Sequence, residues 1–187
     1  CALPIYGNIY YDKRKGFEGS APKISLGVAL KDIDAIHNFK KFINYDGQIR
    51  EYEGYNKDTN MKTRAVSLSF VSKKIGKILE YYGATPNKSK TLKPKNQISK
   101  NKYFWLGYIC GDGSIGNYLR NKEKKNKVYH YSIPSLRIVG SEQICEAFKN
   151  YCNDLVPESD ASVRPHKSIF SIGYSSRPGI VLIKHRS

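Results

Sequence analysis

The stretch FWLGYICGDGSIG, residues 104–116, contains one acidic residue, Asp112, between two glycines in an apolar run. Its composition predicts a helix that begins near residues 100–103 and ends at Gly113. A carboxylate at the negative end of a helix is unfavourable unless a cation is bound there, and Mg²⁺ commonly bridges a carboxylate to a phosphate. The stretch predicts either a metal-binding helix end or an ordinary turn in which Asp112 is a cap residue.

Two glycines inside this predicted helix, Gly107 and Gly111, are four residues apart. Residues at this spacing share one face of a helix, and small residues let a second helix approach closely. The spacing therefore predicts a helix–helix interface on that face.

The chain is strongly basic, with 32 Lys and Arg against 16 Asp and Glu among 187 residues and a net charge of +16. Such a charge predicts a polyanionic partner, because binding releases counterions from phosphates. The lysines are spread over the chain instead of following one amphipathic helix, which disfavours a membrane-surface protein. Without a signal peptide or an apolar run of about 18 residues, we expect no membrane span and no secretion. The cysteines form no CxxC pair, which is typical of an intracellular protein of the cytoplasm or an organelle matrix.

The two halves of the sequence repeat one pattern. Residues 22–43 and 134–152 each contain an apolar strand run, a polar break and apolar residues at helical spacing. Asp32 and Ser141 stand at the breaks, where each is a suitable N-cap. The pattern predicts a strand followed by a helix in both halves.

Two further pairs of segments support the repeat. Residues 67–79 and 170–183 are both alternating strands that turn into a helix after a serine. The N-terminal stretch PIYGNIYY matches ICGDGSIG less well, and it places Tyr6 opposite Asp112. The repeat therefore extends over the whole chain, with one acid missing.

Each half predicts an α+β unit in the order helix, two strands, helix, two strands, helix. Alternating polar residues predict antiparallel sheets with one core face and one solvated basic face. The predicted strands are residues 9–13, 23–30, 48–55 and 65–71 in the first half, and 114–120, 129–139, 161–166 and 169–174 in the second. The predicted domains are residues 1–84 and 103–187, joined by an exposed Lys- and Asn-rich linker at 85–102.

The stretch WLGYICGDG, residues 105–113, resembles the signature helix of the LAGLIDADG homing endonucleases. It keeps the apolar, packing and terminal positions of that helix, namely Leu106, Gly107, Tyr108, Ile109, Asp112 and Gly113. The resemblance covers essentially the whole chain and is to the two-repeat, single-chain type. It implies two pseudo-symmetric αββαββα repeats whose antiparallel sheets form a DNA-binding saddle.

The resemblance also implies a function, site-specific double-strand cleavage of DNA by metal-dependent phosphodiester hydrolysis. Asp112 matches the family's metal-binding acid, and Gly111 matches the residue whose backbone carbonyl also faces the metal. The implied cofactor is Mg²⁺ or another divalent cation. Lys88 and Lys31 resemble the basic or polar residues around the reacting phosphate. The alternative for either lysine is a plain phosphate contact or a solvated side chain.

The implied partner is double-stranded DNA with a long target site, and intron RNA is a second candidate. Polar residues at alternating strand positions are the candidates for contacts with bases or phosphates. They are Tyr11, Lys13, Arg50, Tyr52, Arg64, Arg137, Arg164 and Lys167.

The first half departs from the family pattern. Tyr6 stands where the first acid would be, and Pro4 falls inside the expected helix, where it would cost about 3 kcal/mol. We expect a chain truncated at both ends relative to the family. The alternatives are an active enzyme, a nickase, or an inactive relative such as an RNA maturase or a DNA-binding remnant. The oligomeric state is either a monomer with pseudo-two-fold symmetry or a homodimer through the helix at residues 105–113.

Overall fold

The computed structural model describes residues 7–12, 20–56, 60–86, 88–124, 127–175, 177–179, 181 and 184. The chain divides into two compact units between Tyr81 and Tyr82. Each unit contains a four-stranded antiparallel sheet and helices that pack on one face of it. The predicted α+β class and the repeated arrangement are therefore confirmed.

The first unit has its sheet in the order β1-β2-β4-β3. A single 3₁₀ turn, Leu30–Asp32, joins β2 to the first helix. The elements are β1 (Gly7–Tyr10), β2 (Lys23–Ala29), α1 (Ile33–Phe42), β3 (Ile49–Asn56), β4 (Met61–Val71) and α2 (Lys73–Tyr81).

Alternate residues of the central strands form the core of the first unit. Ile24 and Leu26 on β2 are buried beside Val66 and Leu68 on β4. Phe39 of α1 covers them from the helix side, and its ring lies 6.2 Å from that of Phe70. We call the helix-free side of the sheet its outer face.

The second unit has the same strand order, β5-β6-β8-β7. Two one-turn helices precede the long helix that contains the opening stretch. The elements are α3 (Lys88–Thr91), α4 (Asn96–Ser99), α5 (Lys102–Asp112), β5 (Gly113–Lys124), β6 (Lys127–Gly140), α6 (Glu142–Leu155), β7 (Arg164–His166) and β8 (Ile169–Ser175).

The sequence places most elements correctly, with shifted ends. Ser141 and Ser72 are N-caps, accepting hydrogen bonds from the backbone amides of Ile144 and Ile75 at 3.2 Å each. Asp32 is at the N-cap position of α1 without a side-chain cap bond, because the 3₁₀ turn precedes that helix. The segment predicted as the final helix, residues 180–187, lies largely outside the described residues.

Residues 85–102 differ from the predicted exposed linker. They contain α3 and α4 and fall in the second unit. Leu92 is buried in the core of that unit, and its carbonyl accepts a hydrogen bond from the Ser141 hydroxyl. The sequence does not indicate this burial, because Leu92 stands among lysines and the residues that cover it are distant in the chain. Among the described helices, none combines the length and the apolar character needed to cross a membrane.

Candidate active site and nucleic-acid surfaces

Helix α5 begins and ends as the sequence predicts. The Asn101 side chain caps it by accepting hydrogen bonds from the amides of Tyr103 at 2.8 Å and Phe104 at 3.4 Å. The last helical residue is Asp112, and β5 begins at the next residue. The acid is therefore fixed at the junction of a helix and a strand.

Gly113 makes this abrupt junction possible. Its amide donates to the Ile109 carbonyl, which closes the helix. A Cβ atom at Gly113 would lie 2.6 Å from the Ile109 Cα, so a larger residue would have to move the backbone. Steric contact with the Ile109 backbone thus explains why a glycine follows the acid in this chain, independently of any family pattern.

Trp105 fixes the other end of α5 in the core. Its side chain is 1% exposed, and its ring centroid lies 4.8 Å from that of Phe148 on α6. Its indole nitrogen donates to the Ser99 carbonyl at 2.6 Å. Because the indole is both buried and hydrogen-bonded, it holds α5 in position against α4 and α6.

Tyr108 attaches the middle of α5 to the sheet. Its hydroxyl donates to the Val139 carbonyl at 2.8 Å, close to the end of β6. Gly140 leaves room for that hydroxyl, since a Cβ atom there would overlap it. Burial raises the pKa of Tyr108, and the nearby charge of Asp112 raises it further. Tyr108 therefore stays protonated and holds the helix, and it does not act as a base.

The surroundings of the half-buried Asp112 carboxylate limit the kind of metal ion that it could bind. Within the described residues, no three His, Cys, Asp or Glu side chains form a group that could hold a metal. A closed protein site of the zinc type is therefore not supported there. One carboxylate at a helix end does suit Mg²⁺, which usually keeps several waters and is shared with substrate phosphates. Asp112, with the Gly111 carbonyl, would hold such an ion.

The other predicted residues near the chemistry occupy different parts of the chain. Lys31 is exposed in the 3₁₀ turn of the first unit. Lys88 is the first residue of α3, and its side chain lies outside the described part, as does Tyr6. On α5, Gly107 is buried and Gly111 is half-buried. Their role as a helix interface stays a prediction, since residues 1–6 are not described.

The outer face of the first sheet carries two of the predicted nucleic-acid contacts. Strand register pairs Arg50 with Ser67 and Tyr52 with Ala65, so both side chains lie on the face opposite the core. Both are exposed. The acidic residues of the four strands, Glu51 and Glu53, alternate with them and lie on the helix side. The outer strand face is thus basic and free of acids.

Register puts two other candidates, Arg64 and Tyr11, on the helix side of the first sheet, opposite the face that carries Arg50. Arg64 pairs with Glu53 and alternates with buried Val66. Its guanidinium lies 3.4 Å from the carboxylate of Glu51 and 3.7 Å from that of Glu53.

Tyr11 is the second such residue, because it follows β1 on the side of buried Ile9. Its hydroxyl donates to the Glu80 carboxylate of α2. Burial and this bond raise the pKa of Tyr11 to about 12. The Tyr11 hydroxyl therefore donates its hydrogen bond within the first unit and not to a nucleic acid. Lys13 lies outside the described residues.

The outer face of the second sheet holds Arg137 and Arg164. Arg137 Nη2 lies 3.1 Å from the Ser171 hydroxyl and 3.3 Å from His166 Nδ1. Arg164 Nε donates to the Ser162 hydroxyl at 3.2 Å. Both arginines line a groove of about 520 Å³, and Glu158 and Asp160 also line it. Neither arginine makes an ion pair in the described part of the chain.

Some outer-face residues were not predicted, and one predicted residue is in a turn. Lys167 is not a strand residue as expected but lies in the β7–β8 turn, with a φ of 54°. Lys23 and Tyr10 pair with each other on the outer face of the first sheet and are exposed. His166 is positioned against Arg137. Lys23 and Tyr10 are each next to a buried isoleucine, Ile24 and Ile9. With the strand register known, this alternation would have placed both on the outer face.

Comparison with known proteins gives a match in fold. No family profile matches the sequence, and no curated protein matches it. Meganuclease I-SmaMI bound to uncleaveable DNA has a TM-score of 0.59 and 13% identity over 91% of this chain and 75% of that chain. The homing endonuclease I-WcaI bound to its DNA recognition sequence has a TM-score of 0.58 and 17% identity over 96% and 75%. LAGLIDADG meganuclease I-AabMI bound to uncleaved DNA has a TM-score of 0.60 and 9% identity over 97% and 78%.

These matches agree with the resemblance that residues 105–113 carry, and like it they cover nearly the whole chain. At 9–17% identity they show the fold, and the chemistry has to be argued from this chain's own residues. The chain has the fold of the LAGLIDADG homing endonucleases.

Proposed function

We propose that this chain is a site-specific DNA endonuclease that hydrolyses phosphodiester bonds with a divalent metal ion held by Asp112. The observation that carries the proposal is the position of Asp112. It is the last residue of a helix anchored through Trp105 and Tyr108, and Gly113 sets it directly against the start of β5. Related folds were solved with DNA bound, which supports the same substrate here.

The predicted site residues have distinct roles in the proposal. Asp112 and the Gly111 carbonyl would hold the ion, which would supply the activation of water and the stabilisation of charge on the phosphate. Lys31 and Lys88 neutralise phosphates of the substrate. The fixed helix end orients the carboxylate before substrate binds, so that little reorganisation is needed at the reaction itself.

The outer faces of the sheets are the proposed DNA surface. Antiparallel strands fit the major groove, where base edges present distinct donors and acceptors. Arg50 and Tyr52 on one sheet, and Arg137 and Arg164 on the other, are exposed and lie opposite the cores. The absence of acids from the outer strand face of the first sheet removes repulsion of the phosphates. Contacts from both sheets would give a long target site.

The direct test of the function is cleavage of supercoiled plasmids that carry a library of inserted sequences. With Mg²⁺ we expect cleavage at one sequence, and with excess EDTA we expect none, because the carboxylate alone cannot activate water. Equal cleavage with and without EDTA would contradict the metal-dependent mechanism. Random degradation would contradict the site-specific one.

A matched pair of arginines tests the proposed DNA surface. We expect Arg50→Ala to weaken duplex binding about 10-fold at 0.15 M salt, since one good arginine contact is worth roughly 1–3 kcal/mol. Arg64→Ala should change the affinity less than about 2-fold, because exposed ion pairs contribute little and distant charges are screened at this salt. Fluorescence anisotropy with a labelled duplex measures both. Equal losses would show that the outer face does not decide binding.

A second candidate is a nickase or a binding protein without catalysis, either a DNA-binding remnant or an RNA maturase. It is favoured by Tyr6, which stands at the position of the first-repeat acid and cannot supply a carboxylate.

The plasmid assay separates the candidates by product, since one active acid gives nicked circles. Linear product would require a second Asp112, from a second copy bound through α5, and sedimentation of the complex would detect that copy. A gel shift with duplex DNA and intron RNA identifies the partner. A DNA substrate implies that the protein acts inside a cell or an organelle.

A further inference from the structure

The Tyr52 side chain lies along the outer face of the first sheet instead of pointing away from it. Tyr52 is on β3, and β4 separates that strand from β2. Its hydroxyl nevertheless comes within 3.4 Å of the Cβ position of Gly27, which is on β2. Two strand spacings amount to about 10 Å. A tyrosine reaches that far only by extending across β4, parallel to the sheet.

The surface beneath the ring consists of small residues. Ala65 and Ser67 of β4 pair with Tyr52 and Arg50, and Gly27 pairs with Ser67. Next to them, the Ser25 and Ser69 hydroxyls are hydrogen-bonded to each other at 2.8 Å. No large side chain of the described strands stands between β3 and β2 on this face, so the ring can lie low on the sheet.

The upper side of the Tyr52 ring is open to solvent. The residue is 51% exposed, and its hydroxyl makes no hydrogen bond in the described part of the chain. Arg50 lies two residues away on the same face, whereas Glu51 and Glu53 lie on the opposite face. An open aromatic ring beside a cation, on a face without acids, suits a base and the phosphate attached to it.

We propose that Tyr52 is a stacking platform for an unpaired base and that the first unit binds single-stranded nucleic acid. In a duplex, the face of each base is covered by its neighbours, and only base edges are presented in the grooves. A ring lying along the sheet therefore meets a base face only when that base is unstacked. This activity does not rest on Asp112 or on cleavage.

Affinity for single strands tests the proposal. A labelled mixed-sequence 20-mer is titrated at constant salt as single-stranded DNA, as RNA and as a DNA duplex. We expect Tyr52→Ala to weaken single-strand binding about 5- to 150-fold and Tyr52→Phe to change it less than about 2-fold, because stacking needs the ring and not the hydroxyl. The DNA and RNA arms show which strand is preferred, since RNA alone has the 2′-hydroxyl.

Tyr55→Ala is the matched control. Tyr55 is on the same strand and is 58% exposed, but it lies on the helix side with Glu53 and is hydrogen-bonded to Asn60. We expect unchanged single-strand affinity for this variant. Far-UV circular dichroism confirms that each variant is folded.

Gly27→Val tests the position of the ring without removing it. A Cβ atom at Gly27 alone would already touch the Tyr52 hydroxyl at 3.4 Å, so we expect the two γ-methyl groups of valine to push the ring away from the sheet. We expect a loss of single-strand affinity similar to that of Tyr52→Ala.

Equal weakening of duplex and single-strand binding by Tyr52→Ala would overturn the proposal, and so would unchanged single-strand binding.

Discussion

Asp112→Asn is expected to reduce cleavage of the target duplex by about 10³-fold or more, to the level seen with EDTA. The amide has nearly the shape of the carboxylate but carries no charge, so it holds a divalent cation poorly. Metal-ion stabilisation of the transition state is worth several kcal/mol, and about 1.4 kcal/mol corresponds to a factor of ten in rate. Single-turnover cleavage of a labelled duplex measures the loss in the cleavage rate. At saturating enzyme all of the duplex is bound, so a change in affinity does not affect this rate.

Binding and a distant acid provide the controls for this variant. Without added metal, Asp112→Asn should bind the duplex at least as tightly as the unchanged protein, since a negative charge facing phosphates is removed. Asp154→Asn changes an exposed acid on α6 of the same unit and should cleave at the original rate. A cleavage rate for Asp112→Asn within about threefold of the original would eliminate Asp112 as the metal ligand.

Trp105→Ala is expected to have the largest effect on stability, a loss of about 3–5 kcal/mol in the free energy of unfolding. The indole is 1% exposed, packs against Phe104, Phe148 and Tyr151, and donates to the Ser99 carbonyl. Its removal leaves both a cavity and a carbonyl without its donor. Domains are stable by only about 5–15 kcal/mol, so a substantial fraction of this variant should be unfolded near physiological temperature. Cleavage should therefore be lost there, although the site residues themselves are unchanged.

Urea unfolding followed by far-UV circular dichroism measures this loss, because Trp105 is the one tryptophan of the chain and its fluorescence disappears with it. Tyr103→Ala is the control, since Tyr103 is 55% exposed on the same helix and should cost less than about 0.5 kcal/mol. A loss below about 1 kcal/mol for Trp105→Ala would contradict the role of the indole as the anchor of α5.

Helix α5 and the repeat were predictable because their determinants are local. Asn101 and Ser141 cap helices through their own nearest turns, and Gly113 ends α5 against a residue four positions earlier. Apolar spacing of two or of three to four residues reports burial without knowledge of the partner. The order of strands and helices in both halves follows from such signals alone.

Strand register decides which of the candidate residues lie on the outer face, and the sequence alone does not fix that register. A shift of one residue turns every side chain of a strand to the other face. The sequence shows Arg50 and Arg64 as equivalent basic residues, yet only Arg50 is on the outer face. Tyr11 is engaged by Glu80, which is 69 positions away. Leu92 similarly reads as part of a linker until Ser141 and the second core are placed beside it.

The sequence by itself determined the α+β class, the two repeats, the helix that ends at Asp112 and the net positive charge that predicts a polyanionic partner. Each of these depends on composition or on neighbours within one turn or one strand. Only the tertiary structure decided which basic residues share the acid-free face, and that Tyr52 extends across β4 towards Gly27. Those contacts join residues far apart in the chain, so their geometry is fixed by strand pairing and core packing, which the local pattern does not encode.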